Sequence, residues 1–100
     1  MKNKDITFIS ELEDIIHERL NNPDNKSYTV QLAKAGTKRI AQKLGEEGIE
    51  LALSAAAGSQ NEVVDEAADL MYHLLVLLAD QHLTLSDVSI RLKNRHLKQG

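Results

Sequence analysis

An all-α fold of four to five helices, an antiparallel bundle completed by dimerisation, is what the sequence predicts, and three observations carry that expectation. Apolar residues recur at helical spacing through most of the chain. One Pro and five Gly leave few sites for the tight turns of a β fold. One Phe, two Tyr and no Trp leave a core of Leu, Ile, Val and Ala, which suits helix packed on helix. With 100 residues and 42% hydrophobic content, the chain reads as one domain over residues 1–100.

The first helix is expected from about Thr7 to Leu20, where Phe8, Ile9, Leu12, Ile15, Ile16 and Leu20 share a face and acidic residues fill most of the rest. His17 falls among the polar positions and reads as solvated. Asn21 to Ser27 is a loop, because Pro23 sets a turn and the Asn and Asp side chains bond their own backbone. Ser27 or Thr29 can cap a short helical piece over Val30 to Ala35, with Tyr28 before it as an anchoring core residue. Gly36 punctuates, and Thr37 is a candidate cap for a long helix from about Lys38 to Ala57.

That helix closes at Gly58, which suits a left-handed position, and Ser59 with Glu62 forms a capping box for the next. So short a connection makes the two helices antiparallel neighbours. The following helix, about Gln60 to Gln81, is apolar around most of its circumference and must be central. Few other helices can cover it, so a homodimer or higher homo-oligomer is expected. Leu83 to Asp87 then turns into a last helix capped by Thr84 or Ser86, with Val88, Ile90 and Leu92 apolar. Arg91, Lys93, Arg95, His96 and Lys98 make this tail basic, either as a solvated helix end or as a reach toward a phosphorylated ligand.

The chemistry concentrates on the two long helices. Residues three and four apart are neighbours on a helix face, so Glu50 lies beside Glu46 and Glu47, and Asp69 lies one turn from Glu66. Like charges so placed cost roughly 0.2–0.5 kcal/mol per pair, and more where water is excluded. Such a cluster is either a solvated face or a cation site, and a hard divalent cation is the simplest compensation. A di-iron bundle would need a Glu-x-x-His on each of two helices, and neither Glu62 nor Glu66 is followed so. Oxygen-only ligation points to Mg²⁺, with Mn²⁺ as a substitute. His73, one turn beyond Asp69, reads as a ligand, a partner to a ligand, or a histidine at the core edge. Lys43 sits one turn before Glu46 and Glu47, with Lys38 and Lys34 upstream. These lysines can contact substrate phosphate, or Lys43 can simply pair with Glu47.

Other classes are disfavoured. A formal charge of −3 argues against nucleic acid and anionic membrane as partners. Without Cys there is no disulfide framework and no thiolate site. The Met1–Asp5 start shows no signal-peptide pattern, and the longest apolar run, Leu74 to Ala79, is far short of a membrane span, so a cytoplasmic protein is expected.

Ser27-Tyr28-Thr29, Gly36, the run Lys43-Leu44-Gly45-Glu46-Glu47-Gly48-Ile49-Glu50, and Asp65 to Leu78 together resemble phosphoribosyl-ATP pyrophosphatase over nearly the whole chain, about Leu12 to Arg95. The Glu-Glu-x-x-Glu and Glu-x-x-Asp elements are shared with the wider all-α, MazG-like nucleotide pyrophosphohydrolases; the flanking runs narrow the resemblance to the histidine-pathway family. Gly48 departs from the pattern, where Ala or Thr is expected. The resemblance implies Mg-dependent hydrolysis of phosphoribosyl-ATP to phosphoribosyl-AMP and pyrophosphate, the second step of histidine biosynthesis. It implies Glu46, Glu47, Glu50, Glu66 and Asp69 as metal ligands or their neighbours, with Glu47 or Glu50 orienting and deprotonating the attacking water. Some relatives are fused to a cyclohydrolase, and this chain resembles the stand-alone form. A housekeeping (d)NTP pyrophosphatase and a non-enzymatic helical interaction module are the rival readings.

Overall fold

The computed structural model describes residues 5–22 and 26–99. Pro23, Asp24 and Asn25 of the expected loop, and Met1 to Lys4, lie outside these. Five helices follow one another: α1 Thr7–Leu20, α2 Tyr28–Ala35, α3 Thr37–Ala57, α4 Gln60–Asp80 and α5 Leu85–Gln99. No strand occurs among the described residues. Among the described residues the expectation of an all-α fold of four to five helices holds.

The long antiparallel pair α3 and α4 is the backbone of the fold, and α1 and α2 pack on it. The core forms where all four meet: Ile16, Leu32, Ile40, Leu75 and Val76 are buried, with Ile9, Leu12, Met71 and Tyr72 packed against them. Full burial of each such aliphatic side chain contributes roughly 1.5–3 kcal/mol. Phe8 stays outside this core and is exposed. The central character expected of α4 holds only toward its C-terminus, where His73, Leu75, Val76 and Leu78 are buried. Toward its start Val64 is exposed, as are Ile49 and Leu53 on α3.

The joints are specified by side-chain chemistry. Ser27 caps α2 by accepting from the Val30 N–H, so α2 starts at Tyr28. Gly36, at φ +99°, occupies a left-handed backbone region and leads straight into α3. Thr37 does not cap; its hydroxyl donates to Asp80 Oδ2 at 2.7 Å and ties the start of α3 to the end of α4. Ser59 and Glu62 form the expected capping box. Gly58 is extended rather than left-handed, at φ −101° and ψ −174°. Space explains it instead, since a Cβ there would meet Glu62 Oε1 at 2.7 Å and the Ser54 carbonyl at 2.9 Å.

At the end of α4 the His82 N–H bonds the Ala79 carbonyl and the Leu83 N–H bonds the Leu78 carbonyl, with His82 at positive φ. This is a Schellman closure with His in the place Gly usually takes. Thr84 and Asp87 exchange hydrogen bonds to cap α5, and Glu13 accepts from the Leu85 N–H at 2.7 Å. A carboxylate at a helix N-terminus is favourable both as acceptor and against the helix dipole. Beyond Leu85, α5 leaves Ile90, Leu92 and Leu97 exposed.

Two glycine substitutions separate helix propensity from space. A Cβ at Gly48 would make an ordinary contact with Leu70 Cδ1 at 3.9 Å. Gly48→Ala should therefore stabilise by about 0.5–1 kcal/mol, read as a higher melting temperature. Gly58→Ala should destabilise by about 1 kcal/mol or more, because it displaces the Glu62 arm of the capping box.

Candidate metal centre

The hairpin brings three of the sequence-predicted carboxylates together. Glu47 on α3 and Glu66 and Asp69 on α4 each offer an oxygen within 4.8 Å of the others. Helical geometry explains which residues meet. Glu47 lies two turns beyond the buried Ile40, and Asp69 two turns before the buried Val76, so both carboxylates continue the lines of the interhelical core. Glu66 and Asp69, three apart, share that face.

Burial grades across the group: Glu47 is buried at 7% exposure, Glu66 is half-buried and Asp69 is exposed. Glu47 Oε1 and Glu66 Oε1 are shielded from water and receive no hydrogen bond from a protein donor. Burial pushes the Glu66 carboxyl above its ordinary range. The charges of Glu50 and Asp69, a side-chain hydrogen bond with Glu50 and the charge of Glu47 act in the same direction, in that order. Glu50, itself exposed, thus sits at the edge of the group beside Glu66.

The other residues are distributed differently. Glu46 is outside the group; its side chain is 45% exposed and accepts from Gln42 Nε2 at 3.0 Å. Lys43 lies between the two arms, 3.8 Å from Glu46 Oε1 and 3.9 Å from Glu47 Oε2. It pairs with Glu47 as the intrahelical alternative anticipated. Lys38 is exposed and about half a turn round α3 from Glu47, and Lys34 is exposed at the end of α2. Among the described residues neither makes an ion pair, and neither is drawn to the carboxylates.

The donor set fits a hard cation. Two oxygens bound to one Mg²⁺ at 2.0–2.1 Å stand about 3–4 Å apart, so the group needs only a small contraction to share an ion. An ion would also supply the partners that Glu47 Oε1 and Glu66 Oε1 lack. All-oxygen ligation is the donor chemistry of Mg²⁺ and Mn²⁺.

Sequence reading missed the polar network behind this group. His73 is buried, with Nδ1 2.7 Å from the Asp69 carbonyl oxygen and Nε2 3.0 Å from the Tyr28 hydroxyl. The Thr29 and Tyr72 hydroxyls bond each other. Thr29 is buried and Tyr28 is not, the reverse of the anchoring role expected of the Tyr. The two-turn spacing of His73 from Glu66 was the available signal, because it puts both on one line of α4.

A family model described as phosphoribosyl-ATP pyrophosphohydrolase matches residues 9–96. Curated relatives named histidine biosynthesis bifunctional protein HisIE are similar over most of the chain. The Campylobacter jejuni protein is 57% identical over 95 residues, 95% of this chain and 46% of its own length. The Vibrio cholerae protein is 53% identical over 91 residues, 91% of this chain and 43% of its own. The chain therefore spans about half the length of the curated relatives it matches.

The raised Glu66 carboxyl predicts a pH dependence. A carboxyl raised by folding binds its proton more tightly in the folded than in the unfolded chain. Metal-free protein then loses stability as pH rises from the ordinary value of 4.5 through the raised folded value. Glu66→Gln removes the titration and adds an amide donor. In chelator near pH 7.5 the variant should melt above the wild type, and the gap should close as pH falls through that window. Thermal melts of both proteins across pH check it.

Proposed function

The chain belongs to the phosphoribosyl-ATP pyrophosphohydrolase family, and on that premise we propose that it hydrolyses phosphoribosyl-ATP to phosphoribosyl-AMP and pyrophosphate, the second step of histidine biosynthesis, with Mg²⁺ held by Glu47, Glu66 and Asp69. The observation that carries the reading is the group itself: three carboxylates from two helices within 4.8 Å, two of them with buried oxygens that no protein donor satisfies. When bound, Mg²⁺ supplies charge neutralisation on the phosphates and on the leaving pyrophosphate.

The chain's own residues divide the remaining work. Glu50 is the general base, because it stands beside Glu66 yet is exposed and open to water. It takes a proton as the water oxygen bonds to the α-phosphorus and the bridging bond to the β-phosphate breaks. General-base assistance is typically worth 10²–10⁴-fold. Lys43, held loosely by Glu46 and Glu47 at nearly 4 Å, exchanges those partners for a phosphate oxygen. Glu46 tunes Lys43 rather than holding the ion.

A homodimer completes the fold in this reading. The chain exposes 7427 Å², against roughly 5,700 Å² for a compact monomer of its mass. The excess surpasses the ~800 Å² that each partner contributes to a standard interface. Its Cα radius of gyration of 15.1 Å likewise exceeds the ~13 Å expected at this length. Ile49, Leu53 and Val64, exposed on the open half of the hairpin, are the apolar surface a second copy would cover. Among the described residues no helix is long and apolar enough to cross a membrane.

Pyrophosphate release from phosphoribosyl-ATP should require Mg²⁺ and exceed release from a panel of dNTPs. Release from dNTPs alone would keep the site and remove the pathway; silence on every substrate from folded protein would leave a helical interaction module. Glu50→Gln should lower kcat by about 10²–10⁴-fold while Mg²⁺ still raises the melting temperature. Glu47→Gln should lose both. Full activity in Glu50→Gln would remove the base from that residue. Sedimentation equilibrium should give twice the chain mass of 11.1 kDa.

A further inference from the structure

Tyr28 is held in a way that the core does not explain. The Ser27 cap fixes it in the first turn of α2. The Asp69 carbonyl can only accept, so His73 Nδ1 carries the proton that bonds it at 2.7 Å. In the neutral imidazole Nε2 is then an acceptor, and the Tyr28 hydroxyl donates to it at 3.0 Å. The Tyr28 ring stacks on Tyr72, with centroids 6.1 Å apart and planes inclined by 30°, and meets the His73 ring edge-on at 5.8 Å. Tyr72 is itself fixed through its hydroxyl to Thr29.

A ring fastened by its hydroxyl and by two neighbouring rings would ordinarily be buried, yet Tyr28 remains 47% exposed. The apolar burial of α2 is supplied by Val30 and Leu32. His73 follows Asp69 by one turn, and the Tyr28 and His73 ring centroids are 5.8 Å apart. Through His73 the accessible aromatic ring is thus joined to Asp69 of the acidic group by two hydrogen bonds in series, the relation that a nucleotide's base bears to its phosphates.

We propose that Tyr28 is the base-stacking platform of the site: its accessible ring takes the purine of a nucleotide whose phosphates lie at Glu47, Glu66 and Asp69, with His73 and Tyr72 as positioning residues. The inference rests on the pyrophosphohydrolase reading above and adds to it the residue that recognises the base. Stacking tolerates variation in the base but demands a planar ring, so Tyr28 separates nucleotides from inorganic polyphosphates rather than one purine from another.

The experiment compares Tyr28→Leu, Tyr28→Phe and Tyr28→Trp with the wild type. Steady-state pyrophosphate release gives KM and kcat for phosphoribosyl-ATP, and calorimetry with Mg²⁺ gives the affinities of ATP and of inorganic tripolyphosphate. Tyr28→Leu should raise KM and weaken ATP by about tenfold or more while tripolyphosphate binding is little changed. Tyr28→Phe, which keeps the ring, should recover most of that loss. Should Tyr28→Leu fail to fold, Tyr28→Trp supplies the protein's one indole. Its emission should be quenched by ATP and left alone by tripolyphosphate. Equal loss of ATP and tripolyphosphate would make Tyr28 a structural residue and overturn the proposal. So would unchanged ATP binding accompanied by a weakened dimer, which would mark the ring as a subunit contact. A wild type that releases no pyrophosphate would instead defeat the function on which the inference rests.

Discussion

The structure depends on two helices of one hairpin facing each other with carboxylates in the seam. Glu47 occupies a position on α3 that Ile40 prepares two turns earlier, and an apolar residue there would pack without cost. A buried carboxylate oxygen with no donor carries a desolvation penalty of a few kcal/mol or more. Glu66 faces it with an oxygen that no protein donor satisfies, and burial together with the charges of Glu50 and Asp69 raises its carboxyl above the ordinary range. A fold selected for stability alone would not keep these side chains in the seam. A cation at that point, as proposed, would turn mutual repulsion into shared coordination.

The seam is tolerable because the rest of the hairpin is closed firmly at its other end. Ile16, Ile40, Leu75 and Val76 are fully buried where α1 and α2 pack, and Thr37 with Asp80 clamps the helix ends there. At the opposite end the capping box of Ser59 and Glu62 sets the turn. The acidic group lies between these anchors, so the backbone positions it while the side chains can still adjust. Small movements suffice, since the oxygens are already within 4.8 Å.

Much of this was legible in the sequence, and what was missed has a common cause. Period and cap chemistry are local, so α1, α3 and α4, the capping box at Ser59 and the pairing of α3 with α4 followed from spacing alone. The candidate ligands were legible as a set but not as individuals, because Glu46 and Glu47 both stand within one turn of Glu50. Only the line back to Ile40 distinguishes them, turning Glu47 inward and leaving Glu46 to Gln42 and Lys43. Gly58 was read through the commonest use of Gly after a helix, whereas the crowding by Glu62 and Ser54 that requires it is tertiary. Thr37 had the right chemistry for a cap, but Asp80, far along the chain, competed for its hydroxyl. The links from Tyr28 to His73 and from Thr29 to Tyr72 join residues more than forty positions apart, and no periodicity encodes them.

The open half of the hairpin bears on the chemistry as well as on assembly. Val64, Ile49 and Leu53 lie on the same half of the hairpin as the acidic group, and they are exposed in the single chain. A second copy seated on them, as proposed, would withdraw water from the half of the hairpin that holds the group. Lower local dielectric strengthens both the repulsion among bare carboxylates and their attraction to a cation. Dimerisation and metal binding would then be linked: the ion offsets the charge that the interface desolvates, and the interface sharpens the site's preference for the ion. Tyr28, Asp69 and Glu50 all remain exposed in the single chain, which leaves a side from which a polyanionic nucleotide can still approach.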